Sequence, residues 1–253
     1  MIMKKVVREQ KIRGSKARCL ELTSMAPDYV AAIMKEVASP FAEIDPEHDI
    51  WMPKGFFDSK EAKLDKCALF LPADIRRTLT EWWLEFPRGA NTPNWDIVST
   101  CMIAGKPGLI AVEAKANDGE TKVEGKSEGA SLHSKANHKR IGSAIAEANA
   151  GLNSIIPGWS LSRDTHYQLC NRFAWTWKIA SLGVPVVLVY LGFLNASEMA
   201  DVGQPFDSSL SWEKHIRDHS KSIVPESAWG KRLQTGATPM FAVIASLELE
   251  CAS

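Results

Sequence analysis

The chain has 253 residues, of which 45% are hydrophobic and 24% are charged, so it has enough apolar material for the core of a globular protein. Its 30 basic and 30 acidic residues give a net charge of zero, so the overall charge does not indicate a nucleic-acid partner. Five widely spaced cysteines without a CxxC pair argue against a disulfide framework, a zinc knuckle and a cysteine-ligated iron–sulfur cluster.

The first 20 residues are locally basic, which fits either a solvated terminus or a segment that steers a nucleic-acid backbone. No apolar segment follows them, so no secretory signal is predicted. The longest apolar stretch, Val184 to Leu194, is too short to span a bilayer. We therefore expect a cytoplasmic protein without membrane contact. The basic residues are Lys4, Lys5, Arg8, Lys11, Arg13, Lys16 and Arg18.

The N-terminal part is predicted to contain two helices and an irregular segment. A capped helix is expected from Ser24 to the residue before Pro40, because apolar side chains recur at helical spacing after Pro27. Residues 40–66 are rich in turn signals, and residues 72–86 again show helical spacing. These elements precede the first predicted strands.

A β-hairpin is predicted next. Residues 95–103 and 109–116 are apolar runs of strand length, and the Gly-Lys-Pro-Gly segment at 105–108 separates them as a turn. The polar, glycine-rich residues 117–136 are then expected to form a mobile loop. Further along, the β-branched run 186–192 is typical of a strand that is buried on both faces.

Helices and one more strand complete the pattern. The strongest helix, 166–182, is stopped by Gly183 and Pro185. The order of helix, hairpin, helix and buried strand predicts an α/β fold centred on a mixed sheet. The remaining predicted elements are a helix over about 139–155, a helix near 212–220 and a strand near 240–249.

The second strand of the predicted hairpin ends in charged residues. Successive side chains of a strand alternate between its faces, so Glu113 and Lys115 share one face. Asp96 begins the preceding strand, and the hairpin is expected to bring the two carboxylates together. Glu-x-Lys occurs four times in the chain, but only this copy ends an apolar strand. Because charges there are costly unless they are paired or bind a metal, we take this position as a candidate site.

Two interpretations of this charged group are open. Two neighbouring carboxylates can hold Mg²⁺ or Mn²⁺, which polarises a phosphoryl oxygen and helps to generate hydroxide from water. Lys115 can then orient that water or stabilise the charge that develops at phosphorus. The alternative is that Asp96, Glu113 and Lys115 form a structural ion-pair cluster at a sheet edge.

A second polar group lies in the first turns of the strongest predicted helix. Gln168 and Arg172 are four residues apart and point the same way, with Asn171 beside them. Near a carboxylate–metal site they can bind a phosphate or steady the ligating acids. Otherwise they are the hydrated end of an ordinary helix.

Other candidates have simpler interpretations. His215 and His219 have the spacing of a helical metal pair, but their charged neighbours favour a solvated helix face. Trp51 and Trp159 lie in irregular segments and are candidates for stacking on bases, whereas the tryptophans on predicted helices are expected in the core. The phosphate-cradling GxxxxGK[ST] motif is absent, which argues against an ATPase.

Together, Asp96, the Glu113-Ala-Lys115 segment and a Gln168-x-x-x-Arg172 helix that precedes a buried strand resemble the PD-(D/E)XK nuclease superfamily. The resemblance implies an α/β, restriction-endonuclease-like core with a central mixed β-sheet flanked by helices. The proline that usually stands directly before the aspartate lies three residues upstream here, as Pro93.

The resemblance covers about residues 72–195. We accordingly divide the chain into an N-terminal extension with a helical segment, residues 1–70, and a nuclease-like domain, residues 71–253.

The resemblance also implies a role for each residue. Lys115 would act on the attacking water, while Gln168 and Arg172 would support the site. Many members carry a further ligating glutamate on the helix before the hairpin, and Glu81 or Glu85 can fill that position. The implied catalytic residues are Asp96, Glu113, Lys115, Gln168 and Arg172. The implied ligands of Mg²⁺ or Mn²⁺ are Asp96, Glu113 and the backbone carbonyl of Ala114.

The expected function is metal-dependent phosphodiester hydrolysis of nucleic acid, with a Mg²⁺-dependent DNA endonuclease as the leading form. Lysines of the predicted 117–136 loop can close over a nucleic-acid backbone, and a homodimer would suit the cutting of paired strands. One alternative is a catalytically inactive nuclease-fold module that serves binding or assembly. Another is a metal-dependent hydrolase of small nucleotides. The loop lysines are Lys122, Lys126 and Lys135.

Overall fold

The computed structural model of the protein describes residues 12–250, so Lys4, Lys5, Arg8, Lys11 and Cys251 lie outside the described residues. Helices flank a six-stranded sheet of mixed direction on both faces. The helices are α1 (Gly14–Thr23), α2 (Pro27–Val37), α3 (Ala73–Trp83), α4 (Leu132–Asn153), α5 (Tyr167–Ser181) and α6 (Ser209–Ser220). The strands are β1 (Trp51–Met52), β2 (Ile97–Ile103), β3 (Lys106–Lys115), β4 (Val186–Leu194), β5 (Leu233–Thr235) and β6 (Thr238–Glu248). The predicted α/β class with a mixed sheet is confirmed.

The strand order is β1-β2-β3-β4-β6-β5. The pairs β1–β2, β2–β3 and β5–β6 are antiparallel, whereas β3–β4 and β4–β6 are parallel. Because parallel neighbours need a long crossover, the chain passes through α4 and α5 between β3 and β4. β4 lies between two parallel neighbours and is buried almost throughout, as its continuous apolar sequence predicts.

The two faces of β3 pack against different helical layers. Leu109 and Ala111 belong to the core that includes residues of α3, α4 and α5, whereas Ile110 and Val112 belong to the core formed with α1 and α2. Strand alternation continues to the end of β3, so Glu113 and Lys115 lie on the face covered by α5. The layer of α3 to α5 also buries Trp82, Trp83 and Trp175, which confirms their predicted place in the core.

The N-terminal helices form one of these layers. α1 was not predicted, and Ser24 follows it as the C-cap rather than capping α2. α2 begins with Pro27, whose fixed φ and missing N–H suit the first turn of a helix. The side chains of α1 and α2 pack on the sheet, while the proposed domain boundary after residue 70 stays a prediction.

The predicted mobile loop, residues 117–136, is shorter than expected and is hydrogen-bonded to the start of α5. α4 begins at Leu132 rather than near residue 139, because the Ser131 hydroxyl accepts a hydrogen bond from the backbone N–H of Ser134 at 3.1 Å. The backbone N–H of His166 donates to the carbonyl of Val123 at 2.8 Å. This second bond, together with one from the Tyr167 N–H to the Glu124 carbonyl at 3.1 Å, connects the middle of the loop to the beginning of α5. No helix within residues 12–250 has the length and apolarity needed to cross a membrane.

The hairpin turn also differs from the prediction. It lies at Ala104-Gly105, and Lys106 already pairs with Ile103, so residues 106–108 belong to β3. Both turn residues have positive φ, 49° and 75°, as a two-residue type I′ hairpin requires. This turn sets the register of β2 on β3, and a slip of one residue would move Glu113 and Lys115 to the opposite face.

We expect Ala104→Asn to stabilise the protein by about 0.5–1 kcal/mol, because asparagine tolerates the left-handed backbone that alanine adopts here with strain. The measurement is the free energy of unfolding in urea. The matched control is Ala200→Asn at an exposed position with a φ of −64°, where little change is expected. Equal effects at the two positions would contradict the assigned turn.

Candidate functional site

The hairpin brings Asp96 next to the end of β3. Ile97, the first residue of β2, pairs with Val112, so Asp96, which directly precedes β2, lies beside Glu113. The Asp96 carboxylate accepts a hydrogen bond from the backbone N–H of Ala114 at 2.7 Å. The spatial proximity expected from the hairpin is therefore present, and it depends on the register set by the turn.

Glu113 is buried between two cations. Its Oε1 lies 2.5 Å from the Lys115 Nζ, and its Oε2 lies 2.5 Å from the Arg172 Nε. The side chain of Glu113 is 1% exposed, and those of Lys115 and Arg172 are each 8% exposed. Such a pair of ionic hydrogen bonds is stable in a dry environment only because both carboxylate oxygens are satisfied.

Helix α5 completes the group from the other side. The Gln168 side chain accepts a hydrogen bond from the Lys115 Nζ at 3.2 Å, and Arg172 pairs with Glu113. Gln168 and Arg172 therefore point the same way, as their spacing predicts, and both contact the Glu113–Lys115 pair. Arg172 also donates to the Asn171 side chain at 3.0 Å, and its guanidinium lies 4.7 Å from the centre of the Trp95 ring. The planar guanidinium is thus fixed by both hydrogen bonds and stacking.

The four charges shift one another's ionisation. Burial, and then the neighbouring Glu113, raise the pKa of Asp96 to about 7. Burial by itself would raise the pKa of Glu113, but Arg172 and Lys115 outweigh it and lower that pKa. For Lys115 burial opposes the charge, and the Glu113 and Asp96 carboxylates still raise its pKa. Burial also opposes the charge of Arg172, and the same two carboxylates raise its pKa, so Asp96 is the only one of the four groups placed to change charge near neutral pH.

An open cleft of about 810 Å³ lies over this group. Asp96, Ala114, Lys115, Gln168 and Arg172 line it, whereas Glu113 lies beneath them. One wall is formed by the loop after β3 and the other by residues 61–63 and 91–94. A ligand in the cleft would therefore meet Asp96 and Lys115 directly.

All four Glu-x-Lys segments meet at this cleft. The three that do not end an apolar strand contribute lining residues around the fourth, at positions that are exposed or partly exposed. Their positions are set by two different loops, so sequence spacing alone did not bring them together. The additional lining residues are Glu61, Lys63, Glu120, Lys122, Glu124 and Lys126.

Glu120 is a site residue that the sequence analysis missed. Its carboxylate accepts hydrogen bonds from the backbone N–H groups of Ala116, at 2.6 Å, and Ser15, at 3.3 Å. It thereby connects the end of β3 to the first turn of α1. The only sequence signal was its position a few residues after the charged end of β3.

Several other candidates lie elsewhere or differ from expectation. Glu81 and Glu85 are exposed on and after α3, and neither lines the cleft. His215 and His219 are partly buried rather than on a solvated face, and the His219 ring centre lies 4.8 Å from that of His166. Trp159 is 5% exposed and packs in the core, so it is not available to stack on a base.

The donors at the cleft suit a hard cation in part. Asp96 and Ala114 both line the cleft, so a carboxylate and a backbone carbonyl are the candidate oxygen donors. Mg²⁺ is typically held by one or two carboxylates together with water and substrate phosphate. Glu113 can join them only through lone pairs that Lys115 and Arg172 do not use. Among the described residues, no group of three or more His, Cys, Asp or Glu side chains is arranged to hold a metal ion.

Comparison of the chain with models of protein families, with curated proteins and with solved structures found no match.

Loss of the central carboxylate should destabilise the protein. We expect Glu113→Gln to lower the free energy of unfolding by about 3 kcal/mol, because Lys115 and Arg172 would be left buried without a counter-charge. Urea unfolding measures the change. The control is Glu213→Gln, which removes a half-exposed ion pair with Arg217 and should cost about 0.5 kcal/mol or less. Equal costs for the two variants would contradict the described network.

Asp96→Asn should instead stabilise the protein at high pH. The pKa of Asp96 is raised on folding to about 7, so ionisation of Asp96 lowers the free energy of unfolding as the pH rises from about 4 to about 7. Above that range the loss is complete and no longer depends on pH. At pH 8.5 we expect a gain of about 2 kcal/mol, discounted for the partial exposure of Asp96. At pH 4 the variant and the native chain should unfold at similar urea concentrations. A gain that is the same at both pH values would contradict the raised pKa.

Proposed function

We propose that the protein is a metal-dependent phosphodiesterase that acts on nucleic acid, with a DNA endonuclease as the leading form. The observation that carries this proposal is the position of Lys115 and Asp96. They lie side by side where β2 and β3 meet, and both line an open cleft. An ammonium beside an acid that ionises near neutral pH suits the handling of water and phosphate better than a purely structural contact does.

The oxygen donors of the cleft support Mg²⁺ or Mn²⁺ as the cofactor. Asp96, Glu113 and the Ala114 carbonyl would hold the ion, which when bound would polarise the phosphate and make water more acidic. The backbone N–H of Ala114 holds one oxygen of Asp96, so the carboxylate has a fixed orientation. Ionised Asp96 would then face the ion with its remaining lone pairs.

The other residues of the group have roles that follow from their contacts. Lys115, held by Glu113 and Gln168, would place a positive charge beside the attacked phosphate and orient the water. Arg172 would keep Glu113 ionised and in place, and its five donors suit this task better than a lysine does. Gln168 would fix the direction of the Lys115 side chain.

The order of the elements around the site supports a restriction-endonuclease-like core. A helical segment precedes the β2–β3 hairpin, α4 and α5 follow it, and β4 then pairs parallel to β3. The charged group lies where the hairpin ends and α5 begins. A mixed sheet flanked by helices, with the charged group at the end of the hairpin, is compatible with the core that the resemblance implies.

The second candidate is a nuclease-fold module without turnover. It is favoured by the fact that both Glu113 oxygens already accept from cationic groups, so the cluster is satisfied without a metal. A third candidate, a hydrolase of small nucleotides, would need only the cleft itself. A homodimer and a cytoplasmic location stay predictions.

The deciding experiment is cleavage of supercoiled plasmid and of single-stranded DNA with Mg²⁺ or Mn²⁺. We expect the native chain to cut and both Asp96→Asn and Lys115→Met to lose about 100-fold or more of the rate. Asp96→Asn is the sharper variant because it is expected to be at least as stable as the native chain. The control is Lys221→Met at an exposed position that does not line the cleft.

Three results would decide against the proposal. Cutting that persists in Asp96→Asn and Lys115→Met would contradict the site. Absence of cutting together with absence of Mg²⁺ and Mn²⁺ binding by calorimetry would favour the binding module. Rapid cleavage of dinucleotides with no cleavage of longer DNA would favour the hydrolase of small nucleotides.

A further inference from the structure

A second depression lies beside the cleft, and Asp96 does not line it. We call it the side groove; it has a volume of about 660 Å³ and is lined chiefly by residues 59–63 and 66–68. Glu61, Lys63 and Asn94 line both the side groove and the cleft. The two depressions are therefore neighbours that share these three residues as a common border.

The side groove is much more basic than the rest of the protein. The whole chain has no net charge, and the cleft contains charges of both signs. Among the described residues that line the side groove, four lysines stand against one carboxylate, Glu61. The four lysines are Lys16, Lys60, Lys63 and Lys66.

Two of these lysines are available to a ligand. Lys16 lies 3.4 Å from the Glu61 carboxylate, and Lys63 donates to the Asn91 side chain at 2.9 Å. Lys60 and Lys66 are exposed, and their ammonium groups form no hydrogen bond or ion pair with any other described residue. Two exposed ammonium groups that have no partner within the described residues suit a ligand with repeated negative charges, such as a phosphodiester backbone.

The depth of the charged group favours a flexible strand over a duplex. Glu113 and Lys115 are both buried, so a phosphate must enter the cleft to reach them. A DNA duplex is stiff over about 50 nm, whereas a single strand bends between successive phosphates. Tyr167 also lines the cleft and is partly exposed, and the Lys126 ammonium lies over one face of its ring at 5.1 Å from the centre, so only the other face can stack on an unpaired base.

We propose that the side groove binds the backbone of a single-stranded nucleic acid, on one side of the phosphate that occupies the cleft. The inference rests on the proposed function for the placement of a phosphodiester at Asp96. Lys60 and Lys66 contact successive phosphates of the strand that leaves the cleft. Affinity should therefore rise with strand length until the side groove is filled.

The test is fluorescence anisotropy of the full chain with labelled single-stranded DNA in EDTA, where binding requires no turnover. The strands are a trinucleotide and a strand of about 12 nucleotides, which lies within the site sizes known for single-strand grooves. We expect the native chain to bind the longer strand more tightly. Lys60→Ala with Lys66→Ala should weaken that binding about tenfold and lower the salt slope by about 1.4.

The control removes the same charge elsewhere. Lys221→Ala with Lys231→Ala changes two exposed lysines that line neither depression, and it should bind like the native chain. Equal weakening by the two double variants would overturn the inference, as would unchanged binding by the groove variant. A duplex bound as tightly as the single strand would overturn the assignment of a flexible strand.

The result of this binding test can be distinguished from the result of the cleavage test of the proposed function. Groove-dependent binding of the longer strand, together with no cutting in Mg²⁺ or Mn²⁺, would support the side groove and reject the phosphodiesterase. Cutting that Asp96→Asn abolishes, together with normal binding by the groove variant, would support the phosphodiesterase and reject the side groove.

Discussion

The arrangement of the site depends on the buried carboxylate of Glu113. One of its oxygens accepts from Lys115 on the same strand, and the other accepts from Arg172 on α5. The ion pair with Arg172 therefore links the end of β3 to the helix that covers it. An unpaired charge in this environment is very costly. The position of α5 on β3 is therefore restricted to one in which Arg172 reaches Glu113.

The balance of charge around Glu113 is compatible with a structural role of the cluster and with the reactive role that we propose for it. Arg172 and Lys115 keep Glu113 ionised in the interior, and the carboxylates of Glu113 and Asp96 in turn raise the pKa of Lys115, which reaches the cleft with its proton. Asp96 is the second carboxylate, and burial beside Glu113 raises its pKa to about 7. In the proposed function, a divalent ion bound to Asp96 would favour its ionised form, because the positive charge of the ion would offset burial and the repulsion from Glu113.

The surroundings of the cleft come from segments that are far apart in the sequence. Glu120, after β3, accepts from the backbone of Ser15 in α1, and Glu61 accepts from the side chain of Asn94 before β2. These contacts hold the two walls of the cleft against the sheet. The basic side groove borders the cleft at Glu61 and Asn94, although the chain as a whole has no net charge.

The sequence by itself determined the α/β class, the hairpin and the common face of Glu113 and Lys115, since these follow from local periodicity. The spacing of Gln168 and Arg172 likewise indicated the helix face that meets the site. Only the tertiary structure decided that Glu81 and Glu85 lie outside the cleft and that all four Glu-x-Lys segments border it. Periodicity describes a single element, whereas loop conformation and long-range packing decide which elements meet.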